Sequence, residues 1–306
     1  MHLKREVGDD VIVEDVIDIA RAAARVIMDV YGEEPETWDK RSKSDDTPVT
    51  KADLMADELI RIRLRQRYPD IPIISEETEN LPFEERQHFE YFWVVDPLDG
   101  TKEFINRTGD FAVMIALCLR SSPVLGVIHA PARDPPQTFY AVDGQGAFVL
   151  PGGACGKGLE GSERVRCRSF SARDPGLAMA VSSSRPPTEF IAAFENPVVH
   201  RIGSSALKAI AVAEGAVDIY PCFSPTSEWD TCASHIIVKE SGGALVRCTE
   251  SFERGMADIA PFLQRAANAT SPSTAAQGDT VHDLRVMYNK PDMASPRCIF
   301  LGSCDV

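Results

Sequence analysis

Six short apolar segments follow one another between residues 71 and 150, and they restrict the possible folds more than any other feature of the chain. Pro, Gly and Asp residues separate the segments, and Asp143-Gly144 is typical of a tight turn. Short apolar runs bounded by turn-forming residues favour β-strands. We therefore expect a strand-rich sheet in this half of the chain, formed by residues 71–75, 92–96, 111–119, 124–129, 139–142 and 147–150.

Apolar residues at helical spacing precede this region. They predict a helix over residues 9–31 that ends at Gly32, and a second helix that begins at Asp53 and stops before Pro69. After residue 160, strand candidates alternate with helix candidates, which is typical of a layered α/β arrangement. The strand candidates there are 177–182, 198–202, 217–221, 244–246 and 284–288, and the helix candidates are 188–194, 204–214 and 230–240.

The pattern changes between residues 150 and 165, and we place the boundary between two subdomains there. The predicted fold class is α+β. Residues 1–160 would form an N-terminal α+β subdomain, and residues 161–306 a C-terminal α/β subdomain. Residues 250–280 are rich in Ala, Ser, Thr and Gln, and we interpret them as a surface insertion in the second subdomain.

The charge balance argues against one class of partner. The chain carries 46 acidic and 32 basic residues, so its formal net charge is -14. A protein that binds polymeric nucleic acid needs Lys and Arg side chains to neutralise phosphates. The 44% hydrophobic and 25% charged residues are ordinary for a globular protein, which excludes disordered, collagen-like and coiled-coil chains. By itself the negative charge also argues against small phosphorylated ligands.

Three features indicate a cytoplasmic protein. The longest uncharged apolar run, 111–119, is far shorter than the roughly 20 residues of a membrane-spanning helix. The N-terminus turns acidic where a signal peptide is apolar. The eight cysteines form no C-x-x-C pair, which favours reduced thiols over disulfides or a zinc site. We expect no integral membrane association, and a loose association with the inner face of the membrane stays open.

The segment from Trp93 to Lys102 carries the clearest chemical signal. An apolar strand runs into Asp96, and a tight turn brings Asp99 three residues later. Two carboxylates at the end of a buried strand repel each other and are costly to desolvate unless a cation lies between them. Mg²⁺ and Mn²⁺ prefer such hard oxygen ligands. The segment therefore favours a divalent-metal site.

Other interpretations of the same segment can be compared. An EF-hand loop would need acidic or amide ligands at Val95 and Pro97 and a Glu at Asn106, so that kind of site is excluded. A simple Asp-Gly turn without a metal stays open from this segment alone. The Gly100-Thr101 step could also present backbone N–H groups to an anion at the start of a helix.

Three further acidic features are weak when taken singly. Glu76-Glu77 follows a predicted strand, where a solvated pair is the simpler interpretation. Asp53 stands at the start of a predicted helix within Val-Thr-Lys-Ala-Asp, where capping is the simpler role. Asp230 follows Glu228-Trp229 at the start of another predicted helix, and there too a helix cap is the default.

Their ordered combination resembles a known family. VTKAD, SEE, DPLDGT, GSSALK at residues 203–208, and WD followed by GG resemble the lithium-sensitive, Mg²⁺-dependent phosphatases of the inositol monophosphatase superfamily. The resemblance extends from about residue 45 to residue 246, with a final match at 284–290. The continuation Lys102-Glu103-Phe104-Ile105 resembles the bacterial 3'(2'),5'-bisphosphate nucleotidase (CysQ-type) branch. This resemblance implies a layered α-β-α-β-α sandwich, the inositol monophosphatase-like fold.

The resemblance also implies a metal site. Glu76, Asp96 and the main-chain carbonyl of Leu98 would hold one Mg²⁺, and Asp96, Asp99 and Asp230 would hold a second. Two or three ions are expected, with Mn²⁺ as a possible substitute and Li⁺ as an inhibitor. Metal ions at these carboxylates would invert the local charge, so the net charge of -14 no longer argues against a small phosphate ester.

Catalytic roles follow from the same resemblance. Thr101 and Asp53 match the family's Thr–Asp pair, in which the hydroxyl orients or deprotonates the attacking water and the carboxylate supports it. Glu77 would position a water beside them. The N–H groups of Gly100 and Thr101 would hold the phosphate, and Lys102 is a further substrate-binding candidate.

The second half of the chain would bind the rest of the substrate. The candidates are Gly203, Ser204, Ser205 and Lys208. Lys208 would contact a second phosphate, although a solvated helix lysine is the alternative. The chain departs from the branch in two places: Ser182-Ser183-Ser184-Arg185 replaces Ser-Arg-Ser-His, and Cys222 stands where an Arg often follows Tyr-Pro. Arg185 could replace a lost cationic contact.

The implied activity is hydrolysis of 3'-phosphoadenosine 5'-phosphate to AMP and phosphate, in the setting of sulfur metabolism. Its phosphosulfate counterpart is a possible second substrate. A phosphatase acting on inositol phosphates or sugar phosphates with the same metal site is the first alternative. A non-catalytic member of the family that binds nucleotide or metal is the second.

Overall fold

Two β-sheets organise the computed structural model, which describes residues 1–5, 10–43, 47–152, 158–171, 174–184, 186–248 and 285–304. The first sheet has the strand order β11-β10-β9-β8-β7-β6-β5, and only the β5–β6 pair is parallel. Its strands are β5 (Ile73–Ser75), β6 (Tyr91–Asp99), β7 (Ala112–Leu119), β8 (Ser122–Ala130), β9 (Gln137–Val142), β10 (Gly146–Pro151) and β11 (Glu163–Val165).

The second sheet has the order β14-β13-β15-β19-β17, with β19 antiparallel to both of its neighbours. Its strands are β13 (Ala178–Ser182), β14 (Val198–Ile202), β15 (Ile219–Cys222), β17 (Ala244–Arg247) and β19 (Cys298–Leu301). Four pairs of two-residue strands complete the described sheets: β1 (His2–Leu3) with β2 (Val11–Ile12), β3 (Arg41–Ser42) with β4 (Pro48–Val49), β12 (Ser169–Phe170) with β20 (Ser303–Cys304), and β16 (Thr226–Ser227) with β18 (Ala294–Ser295).

The helices form three layers around these sheets. They are α1 (Val13–Tyr31), α2 (Lys51–Arg67), α3 (Phe83–Arg86), α4 (Thr101–Ile105), α5 (Thr188–Ala192), α6 (Ser205–Ala213) and α7 (Trp229–Glu240), with a 3₁₀ turn at Pro35–Thr37. Helices α1 and α2 cover one face of the first sheet, and α6 and α7 lie between the two sheets. Phe190 of α5 packs on the outer face of the second sheet. The predicted α-β-α-β-α sandwich is confirmed.

Strand β7 shows how the sequence produces this layering. Successive side chains of a strand point to opposite faces of the sheet. Val113, Ile115 and Leu117 pack against α1 and α2, whereas Met114 and Cys118 pack against the layer of α6 and α7. Both faces of the sheet are covered at this strand, so it is apolar along nearly its whole length and shows no alternation with polar residues. The turn-forming residues at its two ends are what predicted it from the sequence.

The close approach of α7 to β8 depends on a glycine. A Cβ atom added to Gly126 would lie 2.5 Å from Ile236 Cγ2 and 2.7 Å from the carbonyl oxygen of Ala233. Contacts that short force side chains or backbone to move. The bare backbone at this position therefore lets the helix that carries Asp230 lie directly on the first sheet.

Three differences between the predicted and the observed elements have a visible structural reason. Helix α1 begins at Val13, because residues 11–12 pair with residues 2–3 as a strand. Helix α2 begins at Lys51, with Thr50 rather than Asp53 as its N-cap. The strand predicted over residues 284–288 is wrong for residues 285–288, because Tyr288 donates its N–H to Ser121 O at 3.1 Å and is not part of a ladder. Residues 298–301 form the sheet strand in its place.

The predicted division into subdomains at residue 160 stays a prediction. Strand β11, at residues 163–165, pairs with β10 at the edge of the first sheet. The predicted insertion at residues 250–280 lies outside the described residues. In the described part of the chain, no helix has both the length and the apolar character needed to cross a bilayer.

Candidate active site

Strand β6 ends at the point where its ladder breaks. Its register with β7 shifts between Asp96 and Asp99, so the chain bulges there and both carboxylates reach one cavity. Gly100 follows with a φ of +98°, and a Cβ at this residue would lie 2.7 Å from Asp110 O. Only glycine adopts this conformation without strain, and it sets the turn that starts α4 at Thr101.

Three carboxylates converge at this end of the first sheet. Asp96, Asp99 and Asp230 each offer an oxygen within 4.8 Å of the others. Asp230 enters from the first turn of α7, where the N–H of Ser227 donates to its Oδ2 at 2.6 Å. Burial and the neighbouring carboxylates raise the pKa of Asp96 and of Asp230 well above the usual range. A bound cation would relieve this repulsion.

The start of α6 holds Asp99. The hydroxyl of Ser204 donates to Asp99 Oδ2, and the N–H of Ala206 donates to the same oxygen at 2.8 Å. Ser205 donates to Asp99 Oδ1 from its hydroxyl at 2.9 Å and from its N–H at 3.2 Å. The N-terminus of a helix favours negative charge, so the start of α6 is a suitable partner for this carboxylate and fixes its position. Ser204 and Ser205 thus contact a carboxylate in addition to lining the cavity.

Leu98 lies between the two aspartates of β6. Its N–H donates to Asp96 Oδ1 at 3.0 Å, and its carbonyl oxygen lies 3.4 Å from Thr101 Oγ1. The residue lines the cavity together with Asp96. The carbonyl oxygen of Leu98, which the family resemblance implies as a metal ligand, therefore lies beside the carboxylates.

Glu76 and Glu77 share one lysine. Lys43, from the end of the β3–β4 hairpin, donates from its Nζ to Glu76 Oε1 at 2.6 Å and to Glu77 Oε1 at 2.7 Å. Burial raises the pKa of Glu76, and burial and Glu76 raise that of Glu77 to about 7. Sequence reasoning missed Lys43. No local sequence pattern identifies Lys43, because its two partners follow β5, more than thirty residues later in the chain.

Thr101 and Asp53 form a direct hydrogen bond. Thr101 Oγ1 donates to Asp53 Oδ1 at 2.8 Å. The other oxygen of Asp53 accepts from the N–H of Thr50 at 2.8 Å and from its hydroxyl at 2.6 Å, which completes a capping box at the start of α2. Asp53 therefore has two structural roles: it completes the capping box at the start of α2, and it accepts a hydrogen bond from Thr101.

Lys208 is not a solvated helix lysine. It is 6% exposed, and its Nζ donates to Gly203 O at 3.1 Å and to Ser204 O at 2.6 Å, 5.2 Å from the centre of the Tyr220 ring. Burial lowers the pKa of this ammonium group. Gly203 has no room for a side chain, because a Cβ would lie 2.4 Å from Glu103 Cγ.

One cavity of about 910 Å³ joins these features. Among the residues predicted for the site, it is lined by Glu76, Asp96, Leu98, Asp99, Gly100, Thr101, Lys102, Ser204, Ser205, Lys208 and Asp230. Glu77, Asp53 and Gly203 lie directly behind this lining through the contacts given above. Arg185 lies outside the described residues. A smaller chamber of about 140 Å³, lined by Lys208, Tyr220 and Cys222, adjoins the cavity at Ser182 and Thr226.

Comparison with known proteins agrees with this site. The sequence pattern of the inositol monophosphatase family matches residues 10–285. The chain belongs to the inositol monophosphatase family. The family resemblance expected from the five ordered motifs is therefore confirmed.

Several relatives of this chain are named 3'(2'),5'-bisphosphate nucleotidase CysQ. The 3'(2'),5'-bisphosphate nucleotidase CysQ of Aggregatibacter actinomycetemcomitans is 38% identical over 237 residues, which are 76% of this chain and 83% of the relative. The protein of the same name from Salmonella typhimurium is 41% identical over 231 residues, 75% of this chain and 87% of the relative. The crystal structure of CysQ from Bacteroides thetaiotaomicron matches with a TM-score of 0.69 and 31% identity, covering 95% of this chain and 97% of that one.

Glu77 makes the stability of this protein depend on pH when no metal is bound. A carboxyl with a raised pKa binds more protons in the folded than in the unfolded chain between about pH 4.5 and 7. Stability is therefore lost as pH rises through this window, and the raised pKa values of Asp53, Glu76, Asp96 and Asp230 act in the same direction. The lowered pKa values of His129 and His235, about 4, act in the opposite direction up to about pH 6.5, so five carboxyl groups oppose two imidazoles. In chelator-treated protein we therefore expect a lower unfolding temperature at pH 7.5 than at pH 5.5.

The matched variant is Glu77→Gln, which keeps the size of the side chain and removes its titration. Its unfolding temperature should change less between pH 5.5 and 7.5 than that of the unaltered protein. Equal slopes for the two proteins would contradict the assignment of the raised pKa to Glu77.

Proposed function

We propose that this protein is a Mg²⁺-dependent phosphomonoesterase that converts 3'-phosphoadenosine 5'-phosphate to AMP and phosphate. The observation that carries the proposal is the convergence of Asp96, Asp99 and Asp230 at the base of a cavity that reaches the buried cation Lys208. The CysQ names of relatives that match about three quarters of the chain support it. The acidic surface favours a small nucleotide over a polymeric nucleic acid, and we place the activity in the cytoplasm.

The donor set fits a hard divalent cation. Glu76, Asp96, Asp99, Asp230 and the carbonyl of Leu98 would hold Mg²⁺, two or three ions in all, with Mn²⁺ as a substitute and Li⁺ as an inhibitor. Every one of these donors is an oxygen, which is the ligand type that Mg²⁺ prefers. When bound, the metal supplies charge neutralisation for the phosphate and makes the attacking water more acidic.

Thr101 and Asp53 orient the attacking water. The Thr101 hydroxyl donates its proton to Asp53 Oδ1, so its oxygen lone pairs are left to accept a hydrogen bond from a water in the cavity. Asp53 is held by Thr50 and can take up the proton that Thr101 passes on. Glu77, which is held by Lys43 at 2.7 Å, would position a second water.

The phosphate that is cleaved lies against the start of α4. We place its oxygens at the N–H groups of Gly100 and Thr101, with Lys102 beside them at the cavity wall. These groups would orient the phosphate toward the water held by Thr101. Positioning and charge stabilisation are the main requirements of phosphoryl transfer, so no covalent intermediate on a side chain is needed.

The second phosphate and the nucleoside occupy the opposite wall. Lys208 lies there between the cavity and the smaller chamber, with Gly203, Ser204 and Ser205 below it. The Lys208 ammonium is the cation that would attract the 5'-phosphate. Arg185 is a further candidate for this contact.

Cys222 favours a second candidate substrate class. It lines the small chamber where a CysQ-type protein often carries an arginine, so this chain offers one cation fewer to a second phosphate. A substrate with a single phosphate, an inositol phosphate or a sugar phosphate, would not need that cation. The same carboxylates and Thr101 would hydrolyse it.

A substrate panel with Mg²⁺, with and without Li⁺, tests the proposal. We expect faster phosphate release from 3'-phosphoadenosine 5'-phosphate than from inositol 1-phosphate, and inhibition by Li⁺. In Lys208→Met, KM for the bisphosphate should rise by about tenfold, because a hydrogen bond to a charged group contributes roughly 1.5 kcal/mol or more.

The matched comparison is adenosine 3'-phosphate, which lacks the 5'-phosphate and should show a much smaller change of KM in the same variant. If inositol 1-phosphate is hydrolysed as fast as 3'-phosphoadenosine 5'-phosphate or faster, the proposed substrate becomes an inositol phosphate or a sugar phosphate instead. Nucleotide binding in calorimetry without turnover of any phosphomonoester would make the protein a non-catalytic binder.

A further inference from the structure

Two buried charged residues lie outside the catalytic cavity, and the mechanism uses neither. Arg86 is 2% exposed and Glu228 is 0% exposed. The side chains of both residues form hydrogen bonds with the same short segment, residues 289–291. We call Arg86, Glu228 and residues 289–291 the clasp. A buried charge is costly unless hydrogen bonds or an opposite charge compensate for its lost hydration. Arg86 is compensated by hydrogen bonds, and Glu228 by hydrogen bonds and the ammonium group of Lys290.

Glu228 forms one end of the clasp. Its carboxylate accepts from Asn289 N at 2.6 Å, from Lys290 N at 2.9 Å and from Lys290 Nζ at 2.6 Å. Its own N–H donates to Met293 O at 2.9 Å. Asn289 has a φ of +62°, a conformation that asparagine tolerates better than most residues, and this turns both N–H groups toward one carboxylate.

Arg86 forms the other end. Its guanidinium group donates to Asn289 Oδ1 at 2.5 Å, to Lys290 O at 3.2 Å and to Pro291 O at 3.4 Å. The Asn289 amide donates back to Arg86 O at 2.6 Å. The clasp therefore joins α3, which follows β5, to the residue that precedes α7, through a segment near the C-terminus.

Each end of the clasp is connected to the stretch of chain that carries a carboxylate of the metal site. On one side, Arg86 Nε donates to Leu81 O at 2.7 Å, and the Asn80 side chain closes the loop by donating to Ser75 O at 2.9 Å. Glu76 follows Ser75 in this loop. On the other side, Glu228 precedes Asp230 by two residues at the start of α7.

We propose that the clasp is a positioning device that sets the separation between Glu76 and Asp230, and through it the affinity of the site for Mg²⁺. Glu76 belongs to the first sheet and Asp230 to the helix layer, so no short stretch of chain joins them. The clasp makes this connection with hydrogen bonds at both ends. Octahedral Mg²⁺ tolerates little error in ligand positions, so a displaced first turn of α7 weakens binding. This inference rests on the metal assignment in the proposed function.

Lys290→Met tests the inference. It removes the ammonium that Glu228 pairs with and leaves the backbone hydrogen bonds of Lys290 in place. The lysine side chain is 26% exposed, so methionine fits without overpacking. We expect the Mg²⁺ concentration for half-maximal effect to rise by about tenfold, as for other residues that support metal ligands. The effect should be the same in phosphate release and in the tryptophan fluorescence of the protein, because Trp229 lines the cavity beside Asp230.

Two control variants distinguish positioning from general stability. Lys239→Met removes an ion pair with Asp143 at the other end of α7 and should leave the Mg²⁺ requirement unchanged. Lys290→Arg restores the charge and should recover most of the affinity. An unchanged Mg²⁺ midpoint in Lys290→Met, with only a lower unfolding temperature, would overturn the inference. If neither phosphate release nor fluorescence of the unaltered protein depends on Mg²⁺, the metal assignment is overturned, and the inference with it.

Discussion

Asp96→Asn should abolish phosphatase activity while leaving the protein folded. Asp96 is 1% exposed and lies within reach of both Asp99 and Asp230. Replacing its carboxylate with an amide removes a negative charge from the centre of the donor set. Metal ions contribute several kcal/mol to transition-state stabilisation, so we expect a loss of roughly 10³-fold or more in kcat/KM. Phosphate release at saturating Mg²⁺ measures the effect.

The same variant should be more stable than the unaltered protein when metal is removed. Burial and the adjacent carboxylates raise the pKa of Asp96, so the metal-free site is stabilised when this side chain carries no charge. An amide has no charge to bury, so the unfolding temperature in chelator should rise, and the stabilisation that Mg²⁺ brings should shrink. Asp143→Asn, at an exposed turn, is the matched control and should change neither quantity. Substantial turnover by Asp96→Asn would contradict its place in the metal site.

Thr101→Val should lower kcat by about 10²- to 10⁴-fold, the usual contribution of a positioned proton-transfer group. Valine has nearly the shape of threonine but lacks the hydroxyl that donates to Asp53 Oδ1 at 2.8 Å. The water in the cavity then loses the group that orients it. The metal donors are unchanged, so the Mg²⁺ dependence and KM should stay close to those of the unaltered protein.

Thr101→Ser is the matched variant, because it restores the hydroxyl without the methyl group. It should keep most of the activity that valine removes. The unfolding free energy of Thr101→Val should fall by about 1–3 kcal/mol, since Asp53 is buried and loses one of its hydrogen-bond donors. If Thr101→Val keeps as much activity as Thr101→Ser and the unaltered protein, the hydroxyl has no part in catalysis.

The sequence predicted the layered fold well, for a local reason. The turn-forming residues between residues 71 and 150 bound each apolar run, and the strands that they predict differ from the observed ones by only a few residues at their ends. The helix expected from Ser204 is α6, and the one expected from Asp230 is α7. The strand expected at residues 284–288 was wrong for its described part, because Tyr288 forms tertiary contacts with Ser121 and His235 that no local pattern shows.

The candidate site was predicted to different extents in its parts. Asp96, Asp99 and Gly100 could be assigned together, because four consecutive peptide units determine where a tight turn points its carboxylates. The capping box of Thr50 and Asp53 is equally local, although its threonine was overlooked. Lys43 was missed, since its bonds to Glu76 and Glu77 span more than thirty residues of chain.

The sequence by itself determined the fold class, the family and the set of acidic residues, because periodicity, turn chemistry and ordered motifs are written in neighbouring residues. Only the tertiary structure decided that α6 bonds Asp99, that Lys208 is buried at the cavity wall and that Glu228 is joined to Arg86. These contacts unite segments that are far apart in the chain. Their geometry depends on how α6 and α7 pack between the two sheets, and no single segment encodes that packing.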